Sequence, residues 1–261
     1  MKKRLICLGT ICLSCIIIAI VIVAVIVLNK PKDTEPHAVL TWIDDDTATG
    51  YYENAHEIAS EFGINMTFAC ITSELDDEKI EKLLSYQREG HHITTHSVTH
   101  DNMNVWGSNY EGTAKFDAIK AEEELKVSID TLKKAGFENC DYFVAPGGVE
   151  FQQVKDLVAK YCPAMVVTQF SGTLNFNDNI DKYALHREFI DASSDKELSY
   201  YTGLIDEAIK EKAWIILGTH SGIQEQWDEN LVKEVIKYAM AKEIDVKTLH
   251  EAYQEKVNLM Q

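Results

Sequence analysis

Between residues 38 and 250, short apolar runs alternate with amphipathic stretches of helical period, and this alternation narrows the possible folds more than any other feature. Ala38–Ile43, Met66–Ile71, His92–Thr95, Tyr142–Ala145, Ala164–Thr168 and Trp214–Gly218 read as strands. They are rich in Val, Ile, Phe and Thr, and several are nearly continuous apolar runs, as strands covered on both faces should be. Glu53–Phe62, Asp76–Glu89, Ala114–Ala135, Phe151–Lys160, Lys196–Lys212 and Asn230–Lys242 read as helices. In the third helix Phe116, Ile119, Leu125, Ile129 and Leu132 recur near helical spacing, and Gly136 is a stop signal. Asp76 is a candidate cap for the second. Repeated strand–helix alternation predicts a parallel α/β sheet with covering helices, open or closed into a barrel.

The first thirty residues stand apart. Lys2, Lys3 and Arg4 precede an uncharged apolar run from Leu5 to Leu28. As a helix that run would be roughly 36 Å long, enough to cross a bilayer with some tilt. A cleaved signal peptide would carry a shorter apolar core and a small-residue cleavage site. The basic flank predicts a cytoplasmic N-terminus and an exported body. The expected organisation is a cytoplasmic stub and transmembrane anchor over residues 1–30, a polar linker over 31–37 and one large domain over 38–261. That makes a single-pass membrane protein with its main domain outside the cell.

All 42 acidic residues follow residue 30, as do only 21 of the 25 basic ones, which leaves that stretch with a formal charge of −21. Such a balance argues against nucleic acid, whose binding needs basic phosphate contacts. It suits a neutral or basic substrate, or simply a solvated acidic surface. Cys7, Cys12 and Cys15 lie in the apolar run, and Cys70, Cys140 and Cys162 in the body, with no Cys-x-x-Cys pair. No disulfide framework is expected; Cys70 and Cys140 read as small buried hydrophobes.

The polar residues of interest collect where strands end. Asp44, Asp45 and Asp46 follow the first strand, His96 the third, Pro146-Gly147-Gly148 the fourth and His220 the last. In a parallel α/β fold those ends share one face, where sites are built. His96-Ser97-Val98-Thr99-His100 places two imidazoles four residues apart, and a helical turn would bring them to one side. That spacing is a weak signal alone, and two solvated surface histidines would also satisfy it. Two imidazoles with a carboxylate form a ligand set for a divalent metal, and a second carboxylate beside it can act as general base.

These residues resemble the polysaccharide deacetylases with a NodB-type domain (carbohydrate esterase family 4), over most of residues 38–250. The resemblance implies a distorted (β/α) barrel. The family's Thr-Phe-Asp-Asp-Gly motif is similar to Thr41-Trp42-Ile43-Asp44-Asp45-Asp46-Thr47, with an extra Asp, and Thr where Gly is usual. By resemblance the first Asp of the pair is the base and the second a metal ligand. Asp45 as base and Asp46 as ligand is the preferred register, with Asp44 and Asp45 the alternative. The His-Ser/Thr-x-x-His motif is met in full, which makes His96 and His100 metal ligands. Arg-x-Pro-x-Gly is met in part by Val144-Ala145-Pro146-Gly147-Gly148, with Val144 where Arg is expected. Pro146 and Gly147 would line the substrate groove and offer a backbone N–H to an oxyanion. Tyr183-Ala184-Leu185-His186-Arg187 is similar to a segment of exopolysaccharide-type relatives; Arg187 either replaces the missing Arg or pairs on the surface.

Leu217-Gly218-Thr219-His220 resembles the Leu-x-His motif, implying His220 as general acid and Leu217 in the acetyl pocket. Trp214 reads as core, whereas Trp106 and Tyr110 could stack on a sugar or pack inside. Ile244–Leu249 is similar to the family's last strand and helix start. The implied cofactor is a divalent metal ion, with zinc (Zn2+) expected. The implied activity is removal of N-acetyl groups from a cell-surface polysaccharide such as peptidoglycan or poly-N-acetylglucosamine. Alternatives are a non-catalytic carbohydrate-binding member of the same fold and a related metal-dependent amidase or esterase.

Overall fold

The computed structural model describes residues 36–107, 115–168 and 174–258; the expected membrane span and Tyr110 lie outside them. Among the described residues no helix is long and apolar enough to cross a membrane. The strands are β1 (Val39–Thr47), β2 (Thr67–Cys70), β3 (His92–Thr95), β4 (Phe143–Val144), β5 (Met165–Thr168), β6 (Leu185–Phe189), β7 (Trp214–Thr219) and β8 (Asp245–Val246). All of their pairings are parallel. β1 to β7 follow one another round a ring that closes because β1 pairs with both β7 and β2. β8 sits against Val39 and Leu40 at the start of β1, while β2 joins it only from Ile43 onward. The barrel is therefore distorted at one seam.

Side-chain alternation along the strands decides what reaches the interior. Val39, Ile43, Val144, Val166, Leu185, Trp214 and Ile216 form one buried cluster with Leu249, Tyr253 and Val257 from the C-terminal segment. The residues between them face outward. Leu40, Trp42, Phe68, Ile93, Ile215 and Leu217 pack under α1 (Glu53–Phe62), α2 (Asp77–Glu89), α5 (Leu198–Glu211) and α6 (Glu229–Ala241). Phe143, Met165 and Val167 pack under α3 (Ala118–Ala135) and α4 (Gln152–Val158). The short helix α7 (Leu249–Tyr253) starts with a capping box between Thr248 and Glu251 and supplies Leu249 to the interior.

The helix signals act as read. The Asp76 carboxylate accepts from Lys79 N–H at the start of α2, and Gly136, at φ 99°, closes α3 in the left-handed conformation. Two features differ from expectation. β1 runs on through all three aspartates rather than ending at Ile43. β6 lacks an apolar run, since His186, Arg187 and Glu188 occupy its middle. Arg187 and Glu188 are nevertheless buried, each with an ionic partner.

Candidate active site

The three aspartates of β1 have three different fates. Asp44 shares the outward direction of Trp42. Its carboxylate accepts from Thr219 Oγ1 (2.7 Å), Ser221 N–H (2.9 Å) and Ser221 Oγ (2.8 Å). Burial pushes its pKa up to about 7 despite those bonds. Asp45 shares the direction of Ile43 and points into the barrel mouth. Asp46 should by alternation point away, but the β1–β2 register shifts between Asp44 and Thr47, and Asp46 is left-handed at φ 52°. That bulge turns Asp46 onto the side of Asp45. Thr47, where glycine was expected, is buried and donates through its hydroxyl to the Asp44 carbonyl (3.0 Å). Asp45 and Asp46 thus line one cleft, and Asp44 is engaged by Thr219 and Ser221.

His96 and His100 do not share a helix, contrary to expectation. Residues 96–100 form a loop with Ser97 at φ 70° and His100 at φ 58°. Ser97 Oγ accepts from His100 N–H (3.0 Å), and Thr72 and Ser73 N–H donate to the Ser97 and Val98 carbonyls. From the other side Glu124 of α3 accepts from Thr99 N–H (3.2 Å) and from its hydroxyl. The folded loop brings the two rings to 4.5 Å between centroids. His96 Nδ1 donates to the Val144 carbonyl (2.7 Å), which directs the lone pair of Nε2 into the site. Burial and then the neighbouring His96 depress the His100 pKa to about 4, so its imidazole is neutral.

Arg187 settles the question left by Val144. Val144 turns its side chain into the barrel core, and Arg187, from β6, reaches Asp45 Oδ2 with Nη2 at 2.6 Å. Both side chains are almost wholly buried. Burial alone would raise the Asp45 pKa, but Arg187, then His220 and His96, hold it far below the usual carboxylate range. His220 lies with Nε2 3.0 Å from Asp45 Oδ1 and 3.8 Å from Asp46 Oδ2. Its Nδ1 bonds Gln226 Oε1. Burial opposes charge on His220, yet Asp45 outweighs it and raises the pKa to about 9. Gln226 sits in the loop after β7, and no sequence signal marked it.

Around these groups lies a cleft of about 190 Å³, lined by Asp45, Asp46, His100, Gly147, Arg187 and His220 among others. Gly147 is exposed in the turn, but Pro146 is buried, and the Gly148 N–H is bonded to the Ala145 carbonyl (2.9 Å). Leu217 is not a lining residue: it is fully buried beneath the helices with Trp42. It stands three positions before His220, and residues three apart on a strand face opposite ways. The position that shares the side of His220 is Gly218. Of the two readings open for Trp106, internal packing is the one observed: it is fully buried against Phe143 with centroids 4.9 Å apart. Trp214 is core as expected, and its indole N–H donates to Thr41 Oγ1 (2.9 Å).

Ligand atoms of Asp46, His96 and His100 all lie within 4.8 Å of one another. Asp46 Oδ1 and His96 Nε2 are buried without a hydrogen-bond partner, as atoms reserved for a cation would be. Two imidazoles and a carboxylate fit a divalent metal that retains open positions. Two other groups of three potential ligands occur among the described residues. In His56–Glu89–His91, the Met66 N–H donates to His91 Nδ1, which puts the ring proton on the Nε2 that would have to bind. In His37–Asp245–Glu255, Lys247 Nζ already joins both carboxylates.

The profile of the polysaccharide deacetylase family matches residues 30–165. The fold is similar to the Xyl-CE4 domain of a multidomain xylanase from the hindgut metagenome of Trinervitermes trinervoides, with 15% identity, TM-score 0.57, and 84% of this chain and 91% of that one covered. It is also similar to a family 4 acetyl xylan esterase from Clostridium thermocellum in complex with a cobalt ion, with 13% identity, TM-score 0.55, and 83% and 90% covered. A CE4 family pseudoenzyme from Bacillus anthracis is similar as well, with 12% identity, TM-score 0.55, and 85% and 67% covered. At these identities the likenesses speak for the fold. No curated protein matches the chain. With more than half of its residues inside the family profile, and its parallel barrel gathering an Asp-His-His cluster at the mouth, the chain belongs to the polysaccharide deacetylase family.

Proposed function

We propose that the protein is a metal-dependent hydrolase removing N-acetyl groups from a cell-surface polysaccharide of the peptidoglycan or poly-N-acetylglucosamine type. One observation carries this reading: the buried Asp45 carboxylate lies 2.6 Å from Arg187, 3.0 Å from His220 and 3.4 Å from His96, beside the Asp46–His96–His100 cluster. Asp46, His96 and His100 would hold the divalent ion, with zinc the expected metal.

Asp45 is the general base. Arg187 occupies Oδ2 and keeps the group ionised, the state from which it takes a proton from water. That grip also weakens it as a base, and the chemistry a bound ion supplies, polarising an acyl oxygen and acidifying water, compensates. His220 is the general acid. Its pKa of about 9 keeps it protonated at neutral pH, and from the cleft wall it would deliver a proton to the departing sugar nitrogen. Gln226 stays on Nδ1 and fixes which nitrogen reacts. The products are acetate and a free amino sugar; an O-acetyl ester would yield to the same groups.

The test is acetate release from acetylated glycans by the full chain, with metal removed by chelation and then restored. His100→Ala should abolish release and weaken metal binding, and full activity in that variant overturns the reading. A non-catalytic carbohydrate-binding role is the second reading, favoured by Val144 and Thr47 where the family has Arg and Gly. Arg187 on Asp45 and the Thr47 bond to Asp44 answer both departures. Saccharide and metal binding with no turnover on any acetylated substrate would favour the binder. A metal-dependent amidase acting on a peptide or small molecule would instead release acid from those substrates alone. The N-terminal apolar run supports anchoring in the cell membrane with the catalytic domain outside. Recovery in the membrane fraction, lost on deleting residues 1–30, checks this.

A further inference from the structure

Strand positions that face covering helices are ordinarily apolar, and Leu40 and Trp42 fill two of them on β1. Asp44 takes the next one, as a fully buried carboxylate. Burying such a group is costly unless hydrogen bonds replace its water. The bonds Asp44 makes go to the two neighbours of His220. Thr219 Oγ1 (2.7 Å) and Ser221 N–H (2.9 Å) donate to Oδ1, and Ser221 Oγ (2.8 Å) donates to Oδ2.

The position of this grip matters. Asp44 and Thr219 are the last paired residues of the β1–β7 ladder, so His220 stands one residue past the point where strand pairing fixes the backbone. The Asp44 carboxylate carries the restraint across it. Both anchors are themselves held. Thr219 Oγ1 accepts from the Trp42 indole N–H (2.9 Å), and the Ser221 carbonyl accepts from Asn54 Nδ2 of α1 (3.1 Å). Beyond them, a Cβ at Gly50 would lie 2.4 Å from the Gly222 carbonyl oxygen, so the two loops pack without room for a side chain there. With the backbone gripped on either side, His220 keeps only its ring torsions. Gln226 on Nδ1, Asp45 3.0 Å from Nε2, and Phe189 stacked at 4.5 Å between centroids constrain those.

We propose that Asp44 is a positioning residue that aims His220 by holding Thr219 and Ser221. It is not among the residues lining the cleft, so it acts through them. The inference rests on the reading of His220 as general acid and adds what aims it. A general acid must stand within hydrogen-bond reach of the departing atom, and a misplacement of about 1 Å can cost about a hundredfold.

The experiment compares an N-acetylglucosamine oligomer with 4-nitrophenyl acetate, using the metal-reconstituted full chain. Only the amide needs its leaving group protonated, because nitrophenolate departs unaided. Asp44→Leu should lower kcat on the oligomer by about a hundredfold with KM little changed, and keep the aryl ester rate within about twofold. Asp44→Asn should recover most of the loss, since its amide can accept from Thr219 and Ser221 N–H and donate to Ser221 Oγ. Ser221→Ala, which removes one bond, should show the same selective loss at about tenfold, and it decides the matter if Asp44→Leu does not fold. Losses equal on both substrates, or no loss, overturn the proposal. The ring nitrogen signals of His220 in 15N-histidine spectra, assigned with His220→Gln, read its placement without turnover. They should move in Asp44→Leu and Ser221→Ala and stay in Asp44→Asn. Should wild type release acetate from neither substrate, the hydrolase reading falls, and these signals alone decide: movement in that pattern sustains the positioning role, and unmoved signals overturn it.

Discussion

Arg187 and Asp45 make the most consequential pair in the site, because neither can be removed without stranding the other away from water. Breaking a buried ion pair from one side costs about 3–5 kcal/mol. Arg187→Ala should therefore lower unfolding stability by that order and acetate release by about a hundredfold or more; denaturant titration and initial rates check it. Arg187→Lys should restore part of the stability and less of the rate, since an ammonium cannot reproduce the planar contact. Equal rates for Arg187→Ala and wild type would remove Arg187 from the chemistry. His220 carries a pH signature in the chelated protein. Its folded pKa of about 9 exceeds the 6.5 of a free imidazole, so the folded state binds the proton more tightly. The added stability, on the order of 3 kcal/mol, is complete below pH 6.5 and fades as pH rises through 9. Stability measured over that window should fall in wild type and stay flat in His220→Gln. At this scale much was legible. The motifs brought His96, His100 and His220 into view, and the structure places them with Asp45 and Asp46 at one mouth; the strand-end argument for the aspartates did not hold, since β1 runs through all three. Leu217 faces away from His220, because strand alternation puts positions three apart on opposite sides. Gln226 was invisible, because a loop amide has no periodicity to betray it.

The loop after β3 shows how an element can carry function without regular structure. Ser97 and His100 both hold left-handed backbone, a strained choice for residues with a Cβ, and the loop is fastened from two sides to hold it. The segment after β2 contributes two backbone bonds, and Glu124 on α3 contributes two more to Thr99. Glu124→Ala should therefore weaken metal binding by about tenfold. Folding stability should change by less than about 1 kcal/mol, because Glu124 is only half-buried. Competition against a chromogenic chelator reads the first quantity and thermal melting the second; an unchanged affinity would assign the loop's shape to the β2 side alone. The sequence suggested a helix here because a four-residue His spacing suits one helical turn. The positive φ values that actually fold the loop leave no mark when no glycine occupies them. β6 escaped notice for a related reason. Its inward residues, Leu185, Arg187 and Phe189, mix apolar and charged types, so the alternation that defines a half-polar strand was masked by function.

For the whole molecule, the decisive property is that the ring collects its functional groups from strands far apart in sequence. Asp46 lies near the end of β1, His96 and His100 follow β3, Arg187 and Phe189 lie on β6, and His220 follows β7. The strand–helix alternation was legible enough to predict this convergence. It did not show which strand closes the ring, since closure depends on β1 pairing with β2, β7 and β8 at different points along its length. Because Asp46 and the two histidines meet only when β1 and β3 are in place, the unfolded chain cannot present the same ligand set. A cation that binds them must stabilise the fold by linkage. At free zinc a hundredfold above the dissociation constant the gain is about 2.7 kcal/mol. For a domain of this size that corresponds to roughly 5–10 °C in melting temperature. Chelation should remove the increment and zinc or cobalt should restore it. His100→Ala should melt near the chelated wild type with or without metal, because it loses a ligand but little buried surface. A metal-induced shift of the same size in His100→Ala would place the cation elsewhere and separate the Asp-His-His cluster from metal binding.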